Sequence, residues 1–152
     1  MYMKIAIASD HAGFEMKEKV KDFLKEIGHE FKDFGTKNKE PVDYPDFAFK
    51  VASAISKNEC ERGILLCETG LGMSIAANKI SGIRAVSCYD VNTARLSREH
   101  NDANVLTLGA RIIEFEKAKE IINVWLNTEF LGERHARRVE KIKEIENKVK
   151  KW

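Results

Sequence analysis

Five short strand-like runs alternate along the chain with stretches whose apolar residues recur at helical spacing, and this alternation restricts the fold more than any other feature. The runs are residues 4–9, 29–34, 63–67, 83–89 and 104–108. Helices are predicted over 14–27, 45–57, 74–80, 91–99, 114–126 and 137–151. In the first, Phe14, Val20, Phe23, Leu24 and Ile27 share a face, and Gly28 follows as a stop. In the second, Pro45 suits a helix start, and Phe47, Val51, Ala54 and Ile55 point inward. The run GILLC at 63–67 is apolar throughout, as a strand buried on both faces must be. Parallel strands need a crossover of a dozen or more residues, and helices supply it here. The expected fold is therefore an α/β sandwich of three layers, with a five-stranded parallel sheet and a C-terminal helix. The 152 residues are expected to form a single domain, 1–152.

In such a sheet, ligands bind beyond the carboxyl ends of the strands. That rule directs attention to the segments after Ser9, Cys67, Tyr89 and Leu108. After the first strand, Asp10 and His11 stand side by side; they suit chemistry, and equally a helix cap and a surface position. After the third comes CETGLGMS at 67–74, a strand, a glycine turn and a helix start. Backbone N–H groups gathered there stabilise an anion, or an oxygen becoming one. Donors beside Cys67 favour its thiolate, although a free cysteine is also a common last residue of a buried strand. The Gly70-Leu71-Gly72 turn begins like a dinucleotide fingerprint, which would make a non-catalytic nucleotide-binding module, but Ile75 stands where the third glycine belongs. A cysteine phosphatase loop is excluded because Met73 occupies the place of its arginine.

His100, Asn101 and Asp102 end a helix before the fifth strand. They offer an acid–base group with adjacent amides, or a helix cap and turn. Arg111 follows the fifth strand, and Arg134 and Arg138 are four residues apart and share a helical face. A guanidinium fork suits phosphate oxygens. Charge gives the arginines a context. Residues 133–152 hold eight Lys or Arg against four Glu, while the whole chain is only +2, so the rest is mildly acidic. Basic character confined to a tail argues against a nucleic-acid surface. No apolar run approaches the roughly 20 residues of a membrane span. Three scattered cysteines without CxxC spacing argue against a disulfide framework or a zinc site, and a cytoplasmic location is expected.

SDHAG (9–13), DYP (43–45), CETGLGMSIAANK (67–79), GIRA (82–85), SREHNDANVLTLGAR (97–111) and GERHARRV (132–139) follow one another over nearly the whole chain. Together they resemble the ribose-5-phosphate isomerase type B family, which includes isomerases of allose and galactose 6-phosphates. The resemblance implies a Rossmann-like sandwich and an aldose–ketose isomerase of ribose 5-phosphate and ribulose 5-phosphate, or of a six-carbon sugar phosphate. It implies homodimers or tetramers with active sites between subunits, and no metal or cofactor. Cys67 then matches the base that moves a proton between C1 and C2. Thr69 and the backbone of Gly70, Gly72, Met73 and Ser74 match the anion hole. His100, with Asp10 nearby, matches the ring-opening group, and Asn101 binds the reacting end. His11, Arg111, Arg134 and Arg138 match the phosphate clamp, and Tyr44 lines the pocket. His100, Asn101 and Arg111 are expected to reach Cys67 from a neighbouring chain. One departure is Glu68, where members commonly have glycine; its side chain is expected to face solvent.

Overall fold

The computed structural model describes residues 2–150. Five strands, β1 (Lys4–Ser9), β2 (Glu30–Asp33), β3 (Arg62–Cys67), β4 (Ala85–Ser87) and β5 (Val105–Gly109), form one sheet in the order β2-β1-β3-β5-β4. Every neighbouring pair is parallel. The helices are α1 (Phe14–Glu26), α2 (Tyr44–Ser56), α3 (Leu71–Ala77), α4 (Val91–Asn101), α5 (Phe115–Asn127) and α6 (Arg134–Val149). The expected three-layer sandwich is what forms.

Strand alternation sorts the core into two halves. Ile5, Ile7, Ile64, Leu66, Leu106 and Leu108 face α1, α4 and α5, where Val20, Leu24, Ile121 and Trp125 meet them. Ala6, Ala8, Leu65 and Cys67 face α2 and α3. The small residues of β1 on this side let Ala48, Val51 and Ala52 of α2 pack closely. Among the described residues, α6 lies outside this scheme and packs on α4. Val139 is buried there, but Ile142, Ile145 and Val149 remain exposed. Lys151, the expected end of this helix, and Trp152 lie outside the described residues.

Three further differences from the sequence reading have a local reason. Helix α3 starts at Leu71 rather than 74, because Gly70 takes a left-handed φ of 85° and turns the strand into the helix at once. Strand β4 keeps only Ala85–Ser87. Before it, Arg84 N–H donates to the Asn104 side chain, and Asn78 holds both polar groups of Ala85 from outside the sheet. Helix α6 begins at Arg134 rather than 137, after Gly132 and Glu133, both at positive φ.

A charged residue also lies on the apolar face of α1. Lys17 is 1% exposed. Its ammonium donates at 2.8 Å to both carboxylate oxygens of Asp33 and to the Thr36 carbonyl. This ties α1 to the end of β2 and to the loop that carries the chain back towards the carboxyl edge. Burial opposes ionisation of Asp33, but bonds from Lys17, Lys21 and the Gly35 N–H outweigh it and hold the carboxyl below its ordinary pKa. A depressed carboxyl contributes stability that is complete above its unfolded value, near pH 4, and is lost as pH falls through the folded value. Asp33→Ala strips Lys17 of its main partner and is expected to cost about 3 kcal/mol in urea unfolding at pH 7. The gap between variant and parent should narrow below pH 4. Lys17→Met leaves Asp33 compensated by Lys21 and should cost markedly less.

Candidate active site

The strand order places β1 and β3 side by side while their onward connections leave in opposite directions, which opens a crevice at their carboxyl ends. Asp10, Cys67 and the turn after it occupy this crevice. The Asp10 N–H donates to the Leu66 carbonyl at 3.1 Å, and its Oδ1 accepts from the Gly13 N–H at 3.0 Å. Cys67 is 5% exposed, and its sulfur accepts the Gly70 N–H at 3.1 Å. Gly70 is required here. Besides its positive φ, a Cβ would sit 3.1 Å from the Leu108 carbonyl carbon.

The turn is held from below. The Gly70 carbonyl accepts from Thr107 Oγ1 at 2.8 Å and Ser87 Oγ at 3.0 Å, and Tyr89 Oη donates to the Thr69 carbonyl. Thr69 Oγ1 accepts the Leu71 N–H at 3.2 Å. Ser74 N–H is already spent on the Gly70 carbonyl. Among the described residues, the Gly72 and Met73 N–H groups therefore stay available in the first turn of α3. Tyr44 lies over Gly72, so closely that a side chain at that glycine would collide with its ring.

Neighbouring residues complete this end. His11 Nδ1 accepts the Val42 N–H at 3.1 Å, which fixes the ring against the 36–43 loop. The Ala110 and Arg111 N–H groups donate to the Cys67 and Glu68 carbonyls, so Arg111 belongs to the same end of its own chain as Cys67. That corrects the expectation that Arg111 arrives from a neighbour: β3 and β5 are hydrogen-bonded partners whose last residues, Cys67 and Gly109, are in register. Glu68 faces solvent, as expected, and forms an exposed ion pair with Arg111 at 3.1 Å.

The remaining residues lie elsewhere. Helix α4 runs back along the sheet, so His100 and Asn101 end near the amino ends of the strands. Arg84 Nε donates to the Asn101 carbonyl, and Asn104, just beyond, bonds to Gly63 and Arg84 at the starts of β3 and β4. About 15 Å of sheet separates this end from Cys67. Asp10 is thus beside Cys67 and far from His100 within one chain. Arg134 and Arg138, both exposed, sit in the first turns of α6 at the His100 end. The Leu131 N–H bond to the Glu99 carbonyl fastens that segment to α4.

Between them stands a residue to which the sequence reading gave no role. His135 is 6% exposed, and its ring lies parallel to that of His100, with centroids 4.2 Å apart and planes 9° apart. Thr107, Ser87 and Tyr89 were likewise missed. The one legible signal was a threonine inside the apolar run VLTLG, where a buried hydroxyl needs a partner.

Comparison with known proteins places this arrangement. Residues 5–142 match the Ribose/Galactose Isomerase family. Ribose-5-phosphate isomerase B of Escherichia coli is 48% identical over 145 residues, covering 95% of this chain and 97% of that one. A putative sugar phosphate isomerase of Bacillus subtilis, YwlF, is 47% identical over 147 residues, covering 96% and 99%. Among solved structures, ribose-5-phosphate isomerase B of Clostridium thermocellum superposes with a TM-score of 0.96 at 56% identity, over 97% of this chain and 99% of that one. The sequence motifs, the sheet order and the crevice at Cys67 have a common source: the chain belongs to the ribose/galactose isomerase family.

Proposed function

We propose that the protein is an aldose–ketose isomerase that interconverts D-ribose 5-phosphate and D-ribulose 5-phosphate. The observation that carries this reading is the Cys67 sulfur at the crevice, held by the Gly70 N–H, with the Gly72 and Met73 N–H groups beside it. Once the sugar is open, Cys67 takes the C2 proton. The electron pair moves into a C1–C2 double bond and the carbonyl oxygen becomes an oxyanion, which the backbone donors stabilise. The proton returns to C1, the O2 hydroxyl proton passes to O1, and the ketose forms. Thr69 and Ser74 flank this centre, and Tyr44 closes one wall.

Ring opening calls for an acid at the ring oxygen and a base at the anomeric hydroxyl. The Asp10 carboxylate, with Oδ1 held by Gly13, serves as the base. His100 serves as the acid and Asn101 orients the reacting end, both supplied by a second copy, because in one chain they lie across the sheet from Cys67. The phosphate clamp divides in the same way: His11 and Arg111 from one copy, Arg134 and Arg138 from the other. Two copies therefore make two sites. The apolar residues Ile142, Ile145 and Val149 of α6, exposed along a groove of about 480 Å³ beside Asn101, support such a pairing. Among the described residues no helix is long and apolar enough to cross a membrane. The three cysteines are unpaired, which fits a reducing compartment and a cytoplasmic enzyme.

Turnover of ribose 5-phosphate by the purified protein tests the reading. Cys67→Ala is expected to lower kcat by at least about 100-fold with little change in KM, and unchanged activity removes Cys67 as the base. The value of kcat/KM for ribose 5-phosphate should exceed that for allose 6-phosphate and galactose 6-phosphate. The opposite order makes the protein a six-carbon isomerase.

The shared site has its own test. Cys67→Ala and His100→Asn proteins are each expected to be nearly inactive, yet unfolding and refolding them together should restore activity. Random pairing makes half of the dimers mixed, each with one intact site, so about a quarter of wild-type activity is expected. No recovery, with mixed dimers shown to form, would mean that both residues act within one chain.

A further inference from the structure

The parallel stack of His100 and His135 is left unexplained by either the fold or the clamp. His135 is buried at the junction of α4 and α6, and its Nε2 is without a hydrogen-bond partner among the described residues. A buried imidazole that makes no hydrogen bond through that atom contributes by its face. That face is presented to His100 at 4.2 Å, tighter than aromatic pairs usually approach. The charged groups acting on His135 are Arg134, Arg138 and Glu133 at the start of α6, with His100 across from it on α4. Burial, then His100 and the two arginines, hold the His135 imidazole below its ordinary pKa against the weaker pull of Glu133, so it is uncharged near neutral pH.

We propose that His135 is a positioning residue for ring opening: its imidazole fixes the plane of the His100 ring and gives it an aromatic face to rest on. The inference rests on the isomerase reading and on His100 as its ring-opening acid. Two rings stacked this closely cannot both carry charge without repulsion. A neutral His135 against a cationic His100 is favourable, because an aromatic face attracts a nearby cation. Its anchorage suits the task. The backbone N–H of His135 donates to the Gly132 carbonyl at 3.0 Å, and the same segment is tied to α4 through the Leu131 N–H and the Glu99 carbonyl. The backbone that carries the His135 ring is thereby held to α4, the helix that carries His100.

The chemistry of the two substrates separates this role from a structural one. Ribose 5-phosphate is mostly a closed ring and needs His100. Ribulose 5-phosphate cannot close a five-membered ring, because its O5 carries the phosphate, so exchange of its C1 proton with D2O needs only Cys67 and the anion donors. His135→Leu should lower kcat for ribose 5-phosphate by about tenfold while leaving the exchange rate of ribulose 5-phosphate near wild type. His135→Phe, which keeps a stacking face, should recover most of the loss. If the leucine variant does not fold, Phe and Gln at this position carry the same comparison.

Parallel loss of turnover and exchange would overturn the proposal, as would unchanged turnover in His135→Leu, or a phenylalanine variant as poor as the leucine one. Absence of both turnover and exchange in the wild-type protein is a different result. It fails the isomerase reading itself, and this inference with it.

Discussion

Everything at the crevice depends on β3 lying in parallel register between β1 and β5. The pairing sets Ser9 beside Leu66 and Cys67 beside Gly109, so three chain segments far apart in sequence emerge at one edge. Each is then tied to its neighbour by a backbone bond just past the last ladder pair: Asp10 to Leu66, Ala110 to Cys67, Arg111 to Glu68. The Gly70 turn extends the same support one step further, with hydroxyls from β4 and β5 gripping its carbonyl while its N–H faces the sulfur. A sulfur and backbone donors held this way need no reorganisation if charge develops beside them, the condition under which fixed dipoles are most effective.

The same directionality explains why His100 and Asn101 stand across the sheet from Cys67. In a parallel sheet every crossover helix runs opposite to the strands. A residue at the end of a helix is therefore delivered to the edge opposite the catalytic turn. His100 and Asn101 finish α4, and the 131–138 segment docks on them. An acid–base group, two arginines and a stacked histidine thus form a second constellation around the far edge. The first constellation stands on turns anchored to strand ends, the second on the end of α4 and the start of α6.

Much of this was legible in the sequence, for reasons of period and chemistry. Apolar alternation gave all five strands, and the strand-end rule gave Asp10 and Cys67. The edge at which His100 stands follows from helix direction alone. Position in the sheet order was not legible, because parallel crossovers of similar length permit several orders. The place of Arg111 beside Cys67 of its own chain needs the β3–β5 pairing, which no local pattern encodes. Lys17 was missed because an amphipathic helix is read from its apolar positions, and a buried ammonium makes sense only once Asp33 is seen opposite. His135 was overlooked between two arginines whose chemistry is more conspicuous.

Asn78 has a consequence beyond shortening β4. Its side-chain amide donates to the carbonyl of Ala85 and accepts its N–H, the pair of bonds a further strand would make. An amide group of the protein itself thus stands in for a sixth strand at that point. Exposed strand edges are templates for pairing with other chains, and native proteins blunt them. Here the blunting falls at the edge nearest the apolar groove of α6, where two copies would otherwise be free to join their sheets into a ribbon. With both polar groups of Ala85 already satisfied, a strand from another chain finds no free backbone pair at this position.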